Sequence, residues 1–320
     1  MTTRRTTSAQ RTAPAAGQEA IVAVPVATVW TGPDAVRAVD RPAVADLPDV
    51  RRWVSAMSKQ QLLDLDGRTE TQLLLGERVL VEQVDGDWAR VVAVEQPSGK
   101  DERGYPGVVR LAHLAVPDAP ARGRQIVVDA TATALCDEPN GDVVLPGVVI
   151  GTSLTATGRS DRGWLPVSAP AHDTALWVRE ADVAPAPTSA PSAKDLLAVA
   201  ERLIDVPYVW GGLSAYGIDC SGLVHLAHRR LGVKVPRDAD DQALVGEAVE
   251  AGTEQPGDLY FFARAGRAPH HVGIVAAATT ADEPRQMLHA SGQDAAGRVV
   301  NEPMTDDRTA TLTGARRTLS

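Results

Sequence analysis

Cysteine is scarce in this sequence: Cys136 and Cys220 are the only two in 320 residues. Two thiols cannot build a disulfide framework or a four-thiolate zinc site. Aromatic residues make up only 4% of the chain, which argues against a long face of stacked rings of the kind single-strand nucleic-acid binders use. Positive charge is also short. Lys and Arg number 32 against 41 Asp and Glu, a net charge of −9, and no basic run supplies the face that a duplex requires. No apolar run reaches the ~18 residues of a membrane span. Arg4 and Arg5 are followed by no apolar segment of the kind a secretory signal carries, so a cytoplasmic location is expected. Nucleic acid and membrane are thus not expected partners, and nothing in the sequence names a partner protein.

What is present is a globular composition, 44% hydrophobic and 23% charged, in a chain long enough for two or three domains. Residues 1–20 read as a disordered tail. The stretch APAPTSAPS at 184–192 reads as a semi-rigid linker, taken as 184–193. A weaker break, PDAPARGR, lies at 117–124. The stretches 21–117 and 124–183 between these marks share one plan. Asp85-Gly86-Asp87 precedes Trp88, and Ser160-Asp161-Arg162-Gly163 precedes Trp164, each turn flanked by β-formers. Hairpin signals used twice predict a duplicated small β-barrel. Val50, Val54, Met57 and Leu62 fall near a 3.6 period and predict a helical insertion in the first stretch.

The segment 194–320 opens with a helix. Ser192 is its expected N-cap, Leu196, Leu197, Val199, Ala200, Leu203 and Ile204 are its apolar face, and Pro207 is its stop. A second helix is expected over 221–231, ended by Gly232. Strand-like runs follow at 258–262, 271–276 and 286–290. Helices before strands read as an α+β unit.

The chemistry centres on Cys220, at the expected start of the second helix. There the positive end of the helix dipole favours thiolate. Cys136 has no helix start beside it and reads as inert. A nucleophile needs a base, and His271 and His289 fall on two later strands. Alternation puts His271, Gly273 and Val275 on one face, with Gly273 leaving room for a thiol or substrate, and His270 on the other. His225 and His228, three apart on the helix, read as a solvated face in preference to a metal pair.

Five motifs in order resemble those of the NlpC/P60 cysteine peptidases: Tyr208-Val209-Trp210-Gly211-Gly212, Asp219-Cys220-Ser221-Gly222-Leu223, Pro236-Arg237-Asp238, Pro256-Gly257-Asp258-Leu259 and His271-Val272-Gly273-Ile274. The resemblance implies a papain-like α+β catalytic domain over 194–320, with Cys220 as nucleophile, His271 as general base and His289 as the residue orienting it. It also implies that Tyr208 helps bind the oxyanion, that Asp219 and Ser221 contact substrate, and that Trp210 lines the cleft. It calls for no metal or organic cofactor.

Further upstream, Gly76-Glu77, Gly86-Asp87-Trp88 and Gly104-Tyr105-Pro106-Gly107 resemble the first of two SH3-like domains in the γ-D-glutamyl-L-diamino-acid endopeptidases, which process cell-wall peptides. Departures from that pattern are Leu75, Val108 and Ala239. On this resemblance Glu77, Tyr105 and Asp238 receive the free amine of an N-terminal L-alanine, and the substrate is a muropeptide or other peptidoglycan-derived peptide. An exported hydrolase of intact peptidoglycan is the alternative, and a non-catalytic wall-binding protein a weaker one.

Overall fold

The computed structural model describes residues 13–278, 284–293 and 295–319. Most of the expected 1–20 tail lies outside them, but Glu19 and Ala20 already belong to a strand. The first antiparallel sheet comprises β1 (Glu19–Val22), β2 (Val26–Trp30), β3 (Thr69–Leu74), β4 (Arg78–Asp85), β5 (Trp88–Ala93), β6 (Tyr105–Arg110) and β7 (Leu114–Ala115), in the order β3-β2-β6-β5-β4-β1-β7. The second comprises β8 (Arg124–Val128), β9 (Ala132–Cys136), β10 (Val143–Val149), β11 (Ser153–Ala156), β12 (Trp164–Ser168), β13 (Leu176–Arg179) and β14 (Val183–Pro185), in the order β10-β9-β13-β12-β11-β8-β14. Adding seven to each label of the first order gives the second. Both sheets are consistent with SH3-like folds.

The turn chemistry accounts for the shared plan. Gly86 takes φ +55° between β4 and β5, and Arg162 and Gly163 take +49° and +84° just before β12. Left-handed turn residues of this kind match the twist of the strands they join. Ala184 and Pro185 pair with Val127 and Ile126, so the expected linker starts later than its composition indicated.

The insertion forms α1 (Val50–Ala56) and α2 (Lys59–Leu63). Its Trp53 packs on Trp30 of β2, ring centroids 5.9 Å apart. One hydrophobic core runs from β2 through Trp53, Val54 and Met57 into Leu196, Leu223, Val224 and Ile274 of the third unit. The first sheet is thereby fixed against that unit.

The third unit begins with α3 (Ala193–Glu201). Ser192 caps it reciprocally with Asp195. The helix ends at Glu201, earlier than Pro207, and Asp205 at φ +70° turns the chain away, leaving Ile204 exposed. A short hairpin follows, β15 (Leu213–Ser214) and β16 (Gly217–Ile218), then α4 (Cys220–Arg230) and α5 (Ala239–Gln242). The main sheet comprises β17 (Glu247–Val249), β18 (Leu259–Phe262), β19 (His271–Val275), β20 (Gln286–Ala290), β21 (Val299–Pro303) and β22 (Leu312–Arg317), with α6 (Asp306–Thr311) before the last strand. Its order is β17-β22-β18-β19-β20-β21. Val272, Ile274, Leu288 and Ala290 share the core that holds α4, while Tyr260, Phe262, Val275 and Met287 form a second cluster. Gly232, at φ +76°, ends α4 with N–H bonds from Val233 to the His228 carbonyl and from Gly232 to that of Arg229, a Schellman closure. Among the described residues no helix is long and apolar enough to cross a membrane.

Inside α4, His225 and His228 are buried, not solvated. His225 Nδ1 meets the Val235 carbonyl at 3.0 Å. His228 uses Nδ1 on the Val224 carbonyl and Nε2 on Thr318 Oγ1. They tie the helix to the segment after it and to the chain's end. Among the described residues no group of three or more His, Cys, Asp or Glu is placed to hold a metal.

Candidate active site

Cys220 is the first residue of α4, and the loop before it is built around Asp219. Asp219 Oδ1 accepts the Gly222 N–H at 2.6 Å, capping the helix, and Oδ2 accepts the Gly211 N–H at 2.8 Å. The fully buried Arg237 guanidinium grips both oxygens, at 3.0 and 2.8 Å, and donates also to Ser221 Oγ, the Gly212 carbonyl and Thr71 Oγ1 of β3. A Cβ at position 222 would lie 2.3 Å from the Gly212 carbonyl oxygen, so only glycine lets the loop close over the helix start.

The thiol itself departs from expectation. Backbone N–H groups of Val272 and Ser221 face the sulfur and favour thiolate. Burial first, and then the Asp219 charge, outweigh them and push Cys220 up to about 12. The helix dipole alone does not decide the thiol's state here, because the capping carboxylate stands at the same helix end.

Val272 follows His271 at the start of β19, so the sulfur lies beside the histidine strand. His271 Nε2 is 2.8 Å from His289 Nδ1 on β20, the rings meeting edge to face. His289 Nε2 is 3.0 Å from Glu302 Oε1 on β21. The chain of bonds assigns the protons. A carboxylate oxygen accepts, so His289 Nε2–H donates to Glu302 Oε1 and His289 Nδ1 is an acceptor. His271 Nε2–H donates to that acceptor, and His271 Nδ1 keeps the lone pair of a base. Burial, and next the Arg308 charge, hold His271 well below the ordinary histidine range. It rests as a neutral imidazole. Gly273 leaves no room for substrate: a Cβ there would lie 2.3 Å from Met287 Sδ and 3.2 Å from His289 Cβ. Its role is to let β20 bring His289 close. His270 is exposed at the rim of the cleft.

A cleft of about 320 Å³ opens over Cys220. Tyr208, Trp210, Asp219 and Ser221 line it from the third unit, with Trp210 41% exposed. Burial first, and then competition with Cys220 for ionisation and the nearby Asp219, raise the Tyr208 phenol. The carboxylate of Asp219 is saturated by its partners within the loop. Tyr105 reaches the cleft from β6, and its hydroxyl donates to Asp238 Oδ2 at 2.9 Å. Asp238 stands at the N-cap of α5 without capping it, which leaves its carboxylate to the cleft.

Glu77 does not join them. It is buried behind β3, where Oε2 accepts the Leu74 N–H and pairs with Arg229 at 3.1 Å, and Oε1 accepts from Gln96 Nε2 at 2.7 Å. Burial raises its carboxyl, with Arg229 opposing. Glu77 thus ties the first sheet to α4. The carboxylate that the first sheet presents to the cleft is Glu70, with Oε2 3.3 Å from the Tyr105 hydroxyl. Sequence reasoning missed Glu70, Arg237 and Glu302. One signal was available for Glu70: Arg68-Thr69-Glu70-Thr71-Gln72 leads into an apolar strand with five polar residues in succession, the mark of a strand wet or hydrogen-bonded on both faces.

Known proteins resemble this chain in sequence and fold. The model of the NlpC/P60 family matches residues 205–314. Over 253 residues the chain is 34% identical to the gamma-D-glutamyl-L-lysine dipeptidyl-peptidase of Bacillus subtilis (strain 168), covering 78% of this chain and 84% of that protein. It is 32% identical over 270 residues to the protein of the same name from Bacillus cereus (strain ATCC 10987), covering 80% of each. The crystal structure of an NlpC/P60 family protein from Bacillus cereus ATCC 10987 matches 95% of this chain and 100% of its own at a TM-score of 0.84 and 28% identity.

Proposed function

The chain belongs to the NlpC/P60 family of peptidases, and from that premise we propose that it cleaves the γ-D-glutamyl–diamino acid bond of peptides released from peptidoglycan, in the cytoplasm, when their N-terminal L-alanine amine is free. Release of an L-Ala-γ-D-Glu dipeptide fits the dipeptidyl-peptidase names of the two Bacillus relatives. The Cys220 sulfur attacks the γ-amide carbonyl as its proton passes to His271 Nδ1. The tetrahedral oxyanion forms near the Tyr208 hydroxyl. His271 then gives its proton to the leaving amine, and water hydrolyses the thioester with His271 again as base. His289 and Glu302 hold the imidazole in the tautomer this sequence needs.

The observation that carries the reading is the cluster of Glu70, Tyr105 and Asp238 at one end of the cleft. Two carboxylates and a phenol oxygen suit an ammonium group. Each charge-assisted hydrogen bond contributes roughly 1.5–3 kcal/mol. An acetylated amine brings no positive charge to the two carboxylates, so L-Ala-γ-D-Glu-L-Lys should be cut at least ~100-fold faster (kcat/KM) than its N-acetyl form, about 2.7 kcal/mol. Glu70→Gln should erode that preference, whereas Glu77→Gln should lower the melting temperature and leave the preference in place. Equal kcat/KM on free and acetylated peptides would remove the reading and favour action on intact wall.

A further inference from the structure

The ammonium pocket just described already holds an ammonium. Lys100 Nζ is 2.7 Å from Glu70 Oε2 and 3.4 Å from Asp238 Oδ2, and it bonds to the Tyr105 hydroxyl. It also stands 4.3 Å over the Tyr105 ring. These are the three acceptors assigned above to the substrate's N-terminus. Among the described residues that line the cleft Lys100 is the only Lys or Arg, against Asp66, Glu70, Asp219, Asp238 and Asp240.

Two features separate the backbone of Lys100 from its side chain. Its loop, between β5 and β6, is clamped to the third unit. The Gly99 N–H donates to Asp241 Oδ2 at 2.7 Å, and the Pro97 carbonyl accepts the Arg237 N–H at 3.0 Å. A Cβ at position 99 would lie 2.5 Å from Asp241 Oδ1, so glycine permits the clamp. The Lys100 side chain, by contrast, is 43% exposed. A four-carbon stem on a fixed anchor can leave for solvent without any movement of the loop.

We infer that Lys100 is a specificity-determining residue, a resident ammonium that fills the amine subsite until a substrate ammonium replaces it. The inference rests on the free-amine reading above. Two ammonium groups cannot share the three acceptors without strong repulsion, so entry of the substrate's N-terminus expels Lys100. A cationic N-terminus restores the contacts that Lys100 gives up. An acylated one does not, and Lys100 keeps the pocket closed to it. Free-amine substrates bind more weakly than the pocket alone would allow, and acylated peptides meet either the occupant or, once it has left, unpaired carboxylates. If Lys100 fills the pocket roughly nine-tenths of the time, its removal lowers the apparent dissociation constant for the free amine about tenfold.

The test is steady-state kinetics of wild type, Lys100→Met and Lys100→Arg on L-Ala-γ-D-Glu-L-Lys and its N-acetyl form. Lys100→Met should lower KM for the free peptide about tenfold with kcat within about twofold, because the competing cation is gone from the ground state only. Lys100→Arg keeps a cation on the same anchor and should hold KM within about threefold of wild type. An unchanged or raised KM in Lys100→Met, in an enzyme that still prefers the free amine, overturns the role of Lys100 and leaves the substrate reading intact. Loss of discrimination between free and acetylated peptide in the wild type overturns the substrate reading itself.

Discussion

At the residue scale, Cys220 and His271, the proposed nucleophile and base, rest uncharged. Burial and Asp219 keep the proton on Cys220, and burial keeps it off His271. On the proposed mechanism thiolate forms as substrate is attacked, in contrast to a preformed ion pair. This has a direct kinetic signature. With the thiol up at about 12, the thiolate fraction grows roughly tenfold per pH unit across the neutral range. The rate of Cys220 alkylation by iodoacetamide should rise with a slope near one in log rate from pH 6 to pH 9. A plateau beginning below pH 8 would show that a thiolate–imidazolium pair is already present. The same scale holds the sharpest lesson about sequence. Glu70 and Glu77 stand seven apart in one polar-to-apolar run, and no local pattern says that Arg229, far along the chain, claims Glu77 and leaves Glu70 to the cleft. Partners fixed by tertiary packing are invisible to spacing.

At the scale of elements, α4 carries more than Cys220. Its start is the Asp219–Arg237 knot, its body buries His225 and His228, Arg229 near its end binds Glu77, and Gly232 closes it. Its start, its end and the turn chemistry were readable, because caps and left-handed turns depend on local residue type. The buried histidines were not, because a helix face at i and i+3 reads alike whether water or the chain's end covers it. Burial lowers His225 to about 3 and His228 to about 4. Their unfolded values lie near 6.5, so the folded state binds fewer protons below that pH. The stability they contribute is full above about 6.5 and is lost as pH falls toward 4, at up to about 1.4 kcal/mol per pH unit for each. Urea unfolding between pH 6.5 and 5 should show this decline, and His228→Asn should reduce its slope by about that one-histidine share. An unchanged slope in the variant would mean that His228 is already protonated in the folded protein. Strands β21 and β22 escaped notice for a related reason. β22, LTGARR, buries only Ala315 fully, so it carries no alternation to read, although it sits between β17 and β18 in the sheet.

At the scale of the whole molecule, the first sheet acts as a wall of the cleft, not as an appendage. A shared hydrophobic core, the Glu77–Arg229 pair, the Arg237–Thr71 bond and the Gly99–Asp241 clamp hold it against the third unit. The ordered motifs around Cys220 and His271 made the reaction class legible through their resemblance to a known family, and the helix start and strand positions followed from local pattern. The depth of the cleft, and the residues that close its far end, come from how the units dock, and docking is written in long-range pairs. The proposed reaction requires that this cleft present one bond to Cys220. Mass spectrometry of the products from L-Ala-γ-D-Glu-L-Lys-D-Ala tests it most directly. Wild type should yield L-Ala-γ-D-Glu and L-Lys-D-Ala, and Cys220→Ala should yield neither. Scission at any other bond, or the same products from Cys220→Ala, would contradict the account.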